Sequence, residues 1–192
     1  MYRKLGFLLA IGMVLSLFGC GGLRYNMMLP EGKTFHPQRI IVLPVAIGPF
    51  AEAEGIIDQA IVTGLTQKKW YSRVVSEETA AAASPKLRET VTAYLDKLEK
   101  LNYSDPVLSR EIAVLSQVDA LLIVSLDYWN YMQDADTKFG RVGLGMRMVN
   151  AETGSLAWEA RHLKSVRYLV IKPDLSDIAI SLTREMAGYM PR

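Results

Sequence analysis

Ala120-Leu121-Leu122-Ile123-Val124-Ser125-Leu126 is the most hydrophobic stretch downstream of residue 20, and its reading decides the fold. A short apolar run closed off by Asp119 and Asp127 marks a strand covered on both faces. Ile40-Ile41-Val42-Leu43 with Val45 reads the same way. Pro44 bends or ends that run, because proline has no N–H for a ladder. Trp70 to Ser76, containing Val74-Val75, is a third strand. Between the first two strands in chain order, Ile56, Ile57, Ala60, Ile61 and Leu65 recur at helical spacing. Ser84-Pro85 and Asp105-Pro106 each put a capping side chain before a proline, whose missing N–H costs nothing in a first turn. Leu87, Val91, Leu95, Leu98 and Leu101 continue the first stripe; Leu108, Ile112 and Leu115 continue the second.

Two alternating strands follow the central one, Arg141 to Val149 and Leu156 to Val166. Asn150-Ala151-Glu152-Thr153-Gly154 joins them, with its glycine free to take positive φ. Pro173-Asp174 opens a last helix whose apolar face is Ile178, Ala179, Leu182 and Met186. Strand–helix–strand units require right-handed parallel crossovers, and closing hairpins require antiparallel pairs. The expected fold is α/β, a mixed sheet of about five strands with helices packed on it, forming one domain over residues 38–192.

Upstream, Arg3-Lys4 precedes the uncharged run Leu5 to Phe18, and Leu17-Phe18-Gly19-Cys20 ends it. This is the layout of a secretory signal, and it resembles the bacterial lipoprotein signal. The resemblance implies cleavage before Cys20, a diacylglyceryl group on its thiol and acylation of the new amino group. Residues 1–19 are then signal peptide, and 20–37 a lipidated N-terminus and tether. A bilayer span takes about 20 apolar residues; Leu5 to Phe18 is 14, and Gly19, Gly21 and Gly22 interrupt any continuation. The expected attachment is therefore an acyl anchor rather than an inserted helix.

Processing leaves 173 residues, enough for one domain with its own core. It also removes Arg3 and Lys4, leaving 20 basic against 20 acidic residues. A neutral chain gives no field for nucleic acid or for adhesion to anionic lipid. No second cysteine remains, so stability comes from packing rather than a disulfide. Gly21 to Pro37 is a 17-residue tether, reaching at most about 56 Å. Its apolar Tyr25, Met27, Met28 and Leu29 either lie on the domain or meet the membrane or a neighbouring subunit.

No catalytic constellation emerges, and no metal or cofactor is expected. His36 lies in the tether, and His162 shares a strand face with Trp158, where a packed or hydrogen-bonded ring is the simpler reading. Lipid on Cys20 removes thiol chemistry, and no G-x-S-x-G elbow is present. Gly140, Gly143 and Gly145 fall inside a strand rather than before a helix, where no phosphate would be cradled, and close approach of a neighbouring element over Gly143 and Gly145 explains them better. Asp134-Ala135-Asp136-Thr137 lacks the remaining ligands of a calcium loop and reads as a hairpin turn. Tyr128, Trp129 and Tyr131 cluster where the central strand runs out. They are either a partner-binding surface or cover for the sheet's end, packed on the tether.

Ile40-Ile41-Val42-Leu43-Pro44-Val45, Asp119-Ala120-Leu121-Leu122-Ile123-Val124, and Val149 to Trp158 with its acidic-Thr-Gly turn resemble patterns of one superfamily. Its members include the curli-secretion channel lipoprotein, the lipoproteins that activate penicillin-binding proteins, and the TolB N-terminal region. The resemblance implies a fold and an envelope setting, and supplies no catalytic residues. The long amphipathic hairpins of a pore and the long disordered tether of the synthase activators are both missing here. A lipid-anchored, periplasm-facing binding or assembly component of an outer-membrane or transport complex is expected, its partner another envelope protein or a second copy. Two rivals stand beside it: a cell-wall or lipid hydrolase with carboxylates among Asp119, Asp127, Asp134 and Glu159, and a lipid-binding auxiliary lipoprotein of a transport system. Mass spectrometry of the membrane-extracted protein is expected to find an acylated Cys20 at the N-terminus; an intact, uncut apolar segment on a Cys20→Ala protein still in the membrane fraction would refute the lipoprotein reading.

Overall fold

In a computed structural model, which describes residues 24–192, the central strand β4 runs over Ala120–Asp134. Cys20 and the apolar segment before it lie outside the described residues. On one side β4 pairs in parallel with β2 (Arg39–Val42), which pairs in parallel with β3 (Arg73–Ser76). On the other side it is antiparallel to β5 (Thr137–Asn150), and β5 to β6 (Leu156–Tyr168). A further strand, β1 (Tyr25–Met28), closes the edge antiparallel to β6. The sheet therefore has six strands, in the order β1-β6-β5-β4-β2-β3, rather than about five.

The extra strand comes out of the stretch read as tether. Asn26 Oδ1 accepts a hydrogen bond from the indole N–H of buried Trp158 at 2.7 Å, giving that group the partner it needs inside the protein. The Glu31 carboxylate accepts from Asn150 Nδ2 at 2.7 Å and pins the next turn. Gly32 is required there, because a Cβ would run into the Ala157 carbonyl oxygen. Only residues 21–24 separate Cys20 from β1. The tether's reach falls from about 56 Å to about 17 Å.

Helices α1 (Ile56–Thr66) and α5 (Leu175–Ala187) cover one face of the sheet over Ile40, Leu122, Leu144 and Trp158. They approach closely at Gly64, where a Cβ would stand 2.7 Å from that of Thr183. The short α2 (Glu77–Ala81), with α3 (Pro85–Leu101) and α4 (Pro106–Ser116), packs on the other face over Ile41, Leu43, Leu121 and Val149. Asp105 and Asp174 cap α4 and α5, each accepting from first-turn backbone N–H groups. The expected cap at Ser84 makes no side-chain hydrogen bond, although Pro85 does open α3.

The central strand does not run out at Leu126. Leu126 pairs with Leu144, yet Tyr128 pairs with Gly143, so Asp127 is an extra, bulged residue. Strict alternation from Ala120 would place Tyr128 inside and Trp129 outside. The bulge inverts this: Trp129 is 5 % exposed within the α1–α5 core, and Tyr128 stands on the opposite face. Trp129→Ala is expected to cost about 3–5 kcal/mol through lost burial and a residual cavity, read as a lower urea midpoint at unchanged slope.

Candidate functional site

The three expected contact aromatics are split between two faces. Trp129 is core. Tyr131 lies on its side of the sheet at the margin, where its hydroxyl donates to the Pro173 carbonyl at 2.8 Å. Tyr168 meets the Tyr131 ring edge-on at 6.0 Å, and the Lys172 ammonium sits 4.8 Å from its centroid. Tyr128 alone faces the other way, with the Arg141 guanidinium 4.4 Å from its ring centroid. The single aromatic surface read from the sequence does not form, because the bulge at Asp127 turns Trp129 away from Tyr128.

Tyr128 opens onto a distinctive surface. On this face α3 and α4 cover the sheet's lower end, over Leu121 and Val149. Farther along β4, β5 and β6 this face carries charged side chains and glycines beside Ile123, Tyr128 and Leu163. Ile123, Ser125, Gly145, Arg147, Glu159 and Arg161 line a shallow open groove. Arg161 Nη1, on an exposed side chain, stands 3.5 Å from Oδ1 of the partly buried Asp127. Gly145 lines this groove and Gly143 lies beside it, next to Tyr128. A Cβ on Gly143 would meet Tyr128 Cδ2 at 2.6 Å, and one on Gly145 would meet Ser125 Oγ at 2.5 Å. The expected close approach of a neighbouring element over these two positions is supplied by side chains of the flanking strands β4 and β6.

The four acids weighed for hydrolysis do not converge. Asp119 starts β4 and Asp134 ends it, about 50 Å apart at strand rise. Glu159 lies across from Arg147 and Ile123, two strands over and four residues along from Asp127. That places these two roughly 16 Å apart, beyond the 5–9 Å of glycoside chemistry. Asp119 is instead a clamp. It accepts from the backbone N–H groups of Gln38 and Arg39 at 3.0 and 2.9 Å, and from Arg39 Nη2 at 2.6 Å. Burial alone would raise its carboxyl; the Arg39 guanidinium and the two N–H donors overcome that and hold it below the ordinary range.

His162 Nε2 lies 3.2 Å from Glu185 Oε1, and Lys164 donates to the other oxygen at 3.0 Å. Burial pushes the Glu185 carboxyl up, but Lys164 and His162 together hold it below its usual value. His36 Nδ1 is 2.8 Å from the Arg192 carbonyl oxygen. Both rings are therefore engaged in tying the fold. Ala135 and Asp136 form the two-residue turn between the paired Asp134 and Thr137, with Ala135 at φ 49°. Among the described residues no group of three His, Cys, Asp or Glu side chains comes together, and no helix is long and apolar enough to cross a membrane. Two larger clefts are both open. One is lined by Phe35, Arg110, Asp119 and Glu152, the other by Glu52, Trp129, Tyr131 and Asp174.

A carboxyl held below its ordinary value stabilises the fold above about pH 4, and that stability is lost as pH falls through the folded value. Asp119→Asn is expected to lower Tm at pH 7 by a few degrees, with the gap to the native protein closing below about pH 4; thermal melts across that range check it.

No family model matches the chain, and no curated protein matches it. Solved structures do. The PelC dodecamer from Paraburkholderia phytofirmans is 13 % identical with a TM-score of 0.56, over 88 % of this chain and 96 % of that one. Lipoprotein GNA1162 from Neisseria meningitidis is 15 % identical with a TM-score of 0.50, over 79 % of this chain and 99 % of that one. The shared feature is the fold, one that a bacterial lipoprotein also uses.

Proposed function

We propose that the protein is a lipid-anchored envelope component on the periplasmic face of the outer membrane, acting by assembly rather than catalysis. Its first partner is a second copy of itself. The observation that carries this reading is the uncovered face of β4, β5 and β6, where Tyr128, Arg147, Glu159 and Arg161 stand with no helix layer like the one opposite. Alternating charges on such a face suit a partner of complementary pattern, since they favour register and specificity over raw affinity. Tyr128 supplies an anchor of the kind that dominates interface energy. Two further observations support the reading: the Leu17–Cys20 stretch, which resembles a lipobox, and a fold like that of lipoprotein GNA1162 and of PelC, whose structure is a dodecamer.

The hydrolase rival has nothing specific in its favour, because its candidate acids are dispersed or engaged in ion pairs. The lipid-carrier rival needs an apolar cavity, and the larger clefts are open with acidic or basic side chains in their walls.

Light scattering on the lipidated protein in detergent, with cross-linking in native membranes, tests the proposal. The native chain is expected to form a defined oligomer. The double variant Arg147→Glu/Arg161→Glu is expected to associate about tenfold or more weakly while melting normally. A native protein that is monomeric in both assays refutes self-assembly, and an oligomer unaffected by the double substitution moves the interface elsewhere.

A further inference from the structure

Leu169, Val170 and Ile171 are 74, 89 and 85 % exposed, three consecutive apolar side chains in the bend between β6 and α5. Single exposed apolar residues need no explanation; an unbroken triplet at a projecting tip does. It sits where the β4–β5 hairpin also ends, since Tyr168 pairs with Lys138. Tyr131 and Tyr168 stand just behind it, edge to face at 6.0 Å.

The chain enters the sheet from this same end. Strand β1 runs away from the hairpin tips, because Tyr25 pairs with Arg161 and Met28 with Trp158 while β6 climbs toward Tyr168. Cys20 stands five residues before Tyr25, within about 17 Å of it. From the level of Arg161 to Leu169 the strand rises about 27 Å. An acylated Cys20 on so short a leader holds the domain against the bilayer, and the end from which the leader arrives carries the apolar triplet.

We propose that Leu169-Val170-Ile171 dips into the bilayer that holds the acyl anchor, with Tyr131 and Tyr168 at headgroup level. The proposal rests on the lipoprotein reading of Cys20. Burial of apolar side chains drives the contact rather than charge. Lys138, Arg167 and Lys172 around the tip are matched by Asp134, Asp136 and Asp174. The second attachment fixes the domain's orientation, which a lipid chain alone leaves free to swivel.

Lipidated full-length Val170→Cys, its only free thiol carrying an environment-sensitive fluorophore, tests this in vesicles of phosphatidylethanolamine and phosphatidylglycerol and in phosphatidylcholine alone. Tyr103→Cys, exposed beyond α3, is the control. The label at 170 is expected to shift to the blue and to be quenched by shallow spin-labelled lipids, at about 5–10 Å depth, equally in both vesicle types; the label at 103 is not. An unquenched label at 170 on protein whose Cys20 mass shows acylation overturns the loop contact and leaves the lipoprotein reading intact. An unmodified, uncut N-terminus with an unquenched label overturns both. A label shielded from water yet unquenched by lipid assigns the tip to a protein neighbour and also overturns the proposal.

Discussion

Everything in this molecule hangs on β4 being paired in parallel on one side and antiparallel on the other. Its first half, Ala120 to Leu126, is buried between helix layers on both faces, with Ile123 and Ser125 only partly covered. Its second half needs cover on one face alone, where Trp129 enters the core beneath α1 and α5. Asp119 holds the start of the strand to β2 through three donors on Gln38 and Arg39. The bulge at Asp127 then resets the alternation midway. One inserted residue thus allows a fully buried strand to continue as half of an exposed hairpin without exposing a tryptophan.

The same change of pairing explains why the molecule is unequal on its two sides. Parallel crossovers bring α1, α3 and α4 back across the sheet around β2 and β3, as such connections must. The antiparallel hairpins β4–β5 and β5–β6 bring no helix with them. Only α5, arriving after β6, returns to cover one of their faces. The other face is left to Tyr128, Arg147, Glu159 and Arg161, and its glycines are filled by side chains of adjacent strands.

The N-terminal edge of the sheet depends on β1. By pairing with β6 and offering Asn26 to the Trp158 indole, residues that read as linker become part of the sheet. Only residues 21–24 then separate Cys20 from β1, which cuts the contour length between them to about 17 Å.

The sequence by itself determined the α/β class, the order of strands and helices from Arg39 onward except for the short α2 at Glu77–Ala81, the hairpin at Gly154 and the caps at Asp105 and Asp174. These come from local rules: apolar period, capping chemistry and turn residues act within a few positions of one another. It also carried Leu17-Phe18-Gly19-Cys20, which resembles a lipobox, a signal read linearly along the chain. What it left undecided depends on contacts between distant residues. Tyr25 to Met28 has no periodicity that marks it as a strand, and it becomes one because β6 presents a free edge and Trp158 a free indole N–H 132 residues away. Whether Tyr128 or Trp129 points inward turns on the Asp127 bulge, which exists only as a mismatch of register between two strands. Only the tertiary structure decided which aromatics meet, which acids stand apart, and from which end β1 joins the sheet, because each is a distance across the sheet rather than a spacing along the chain.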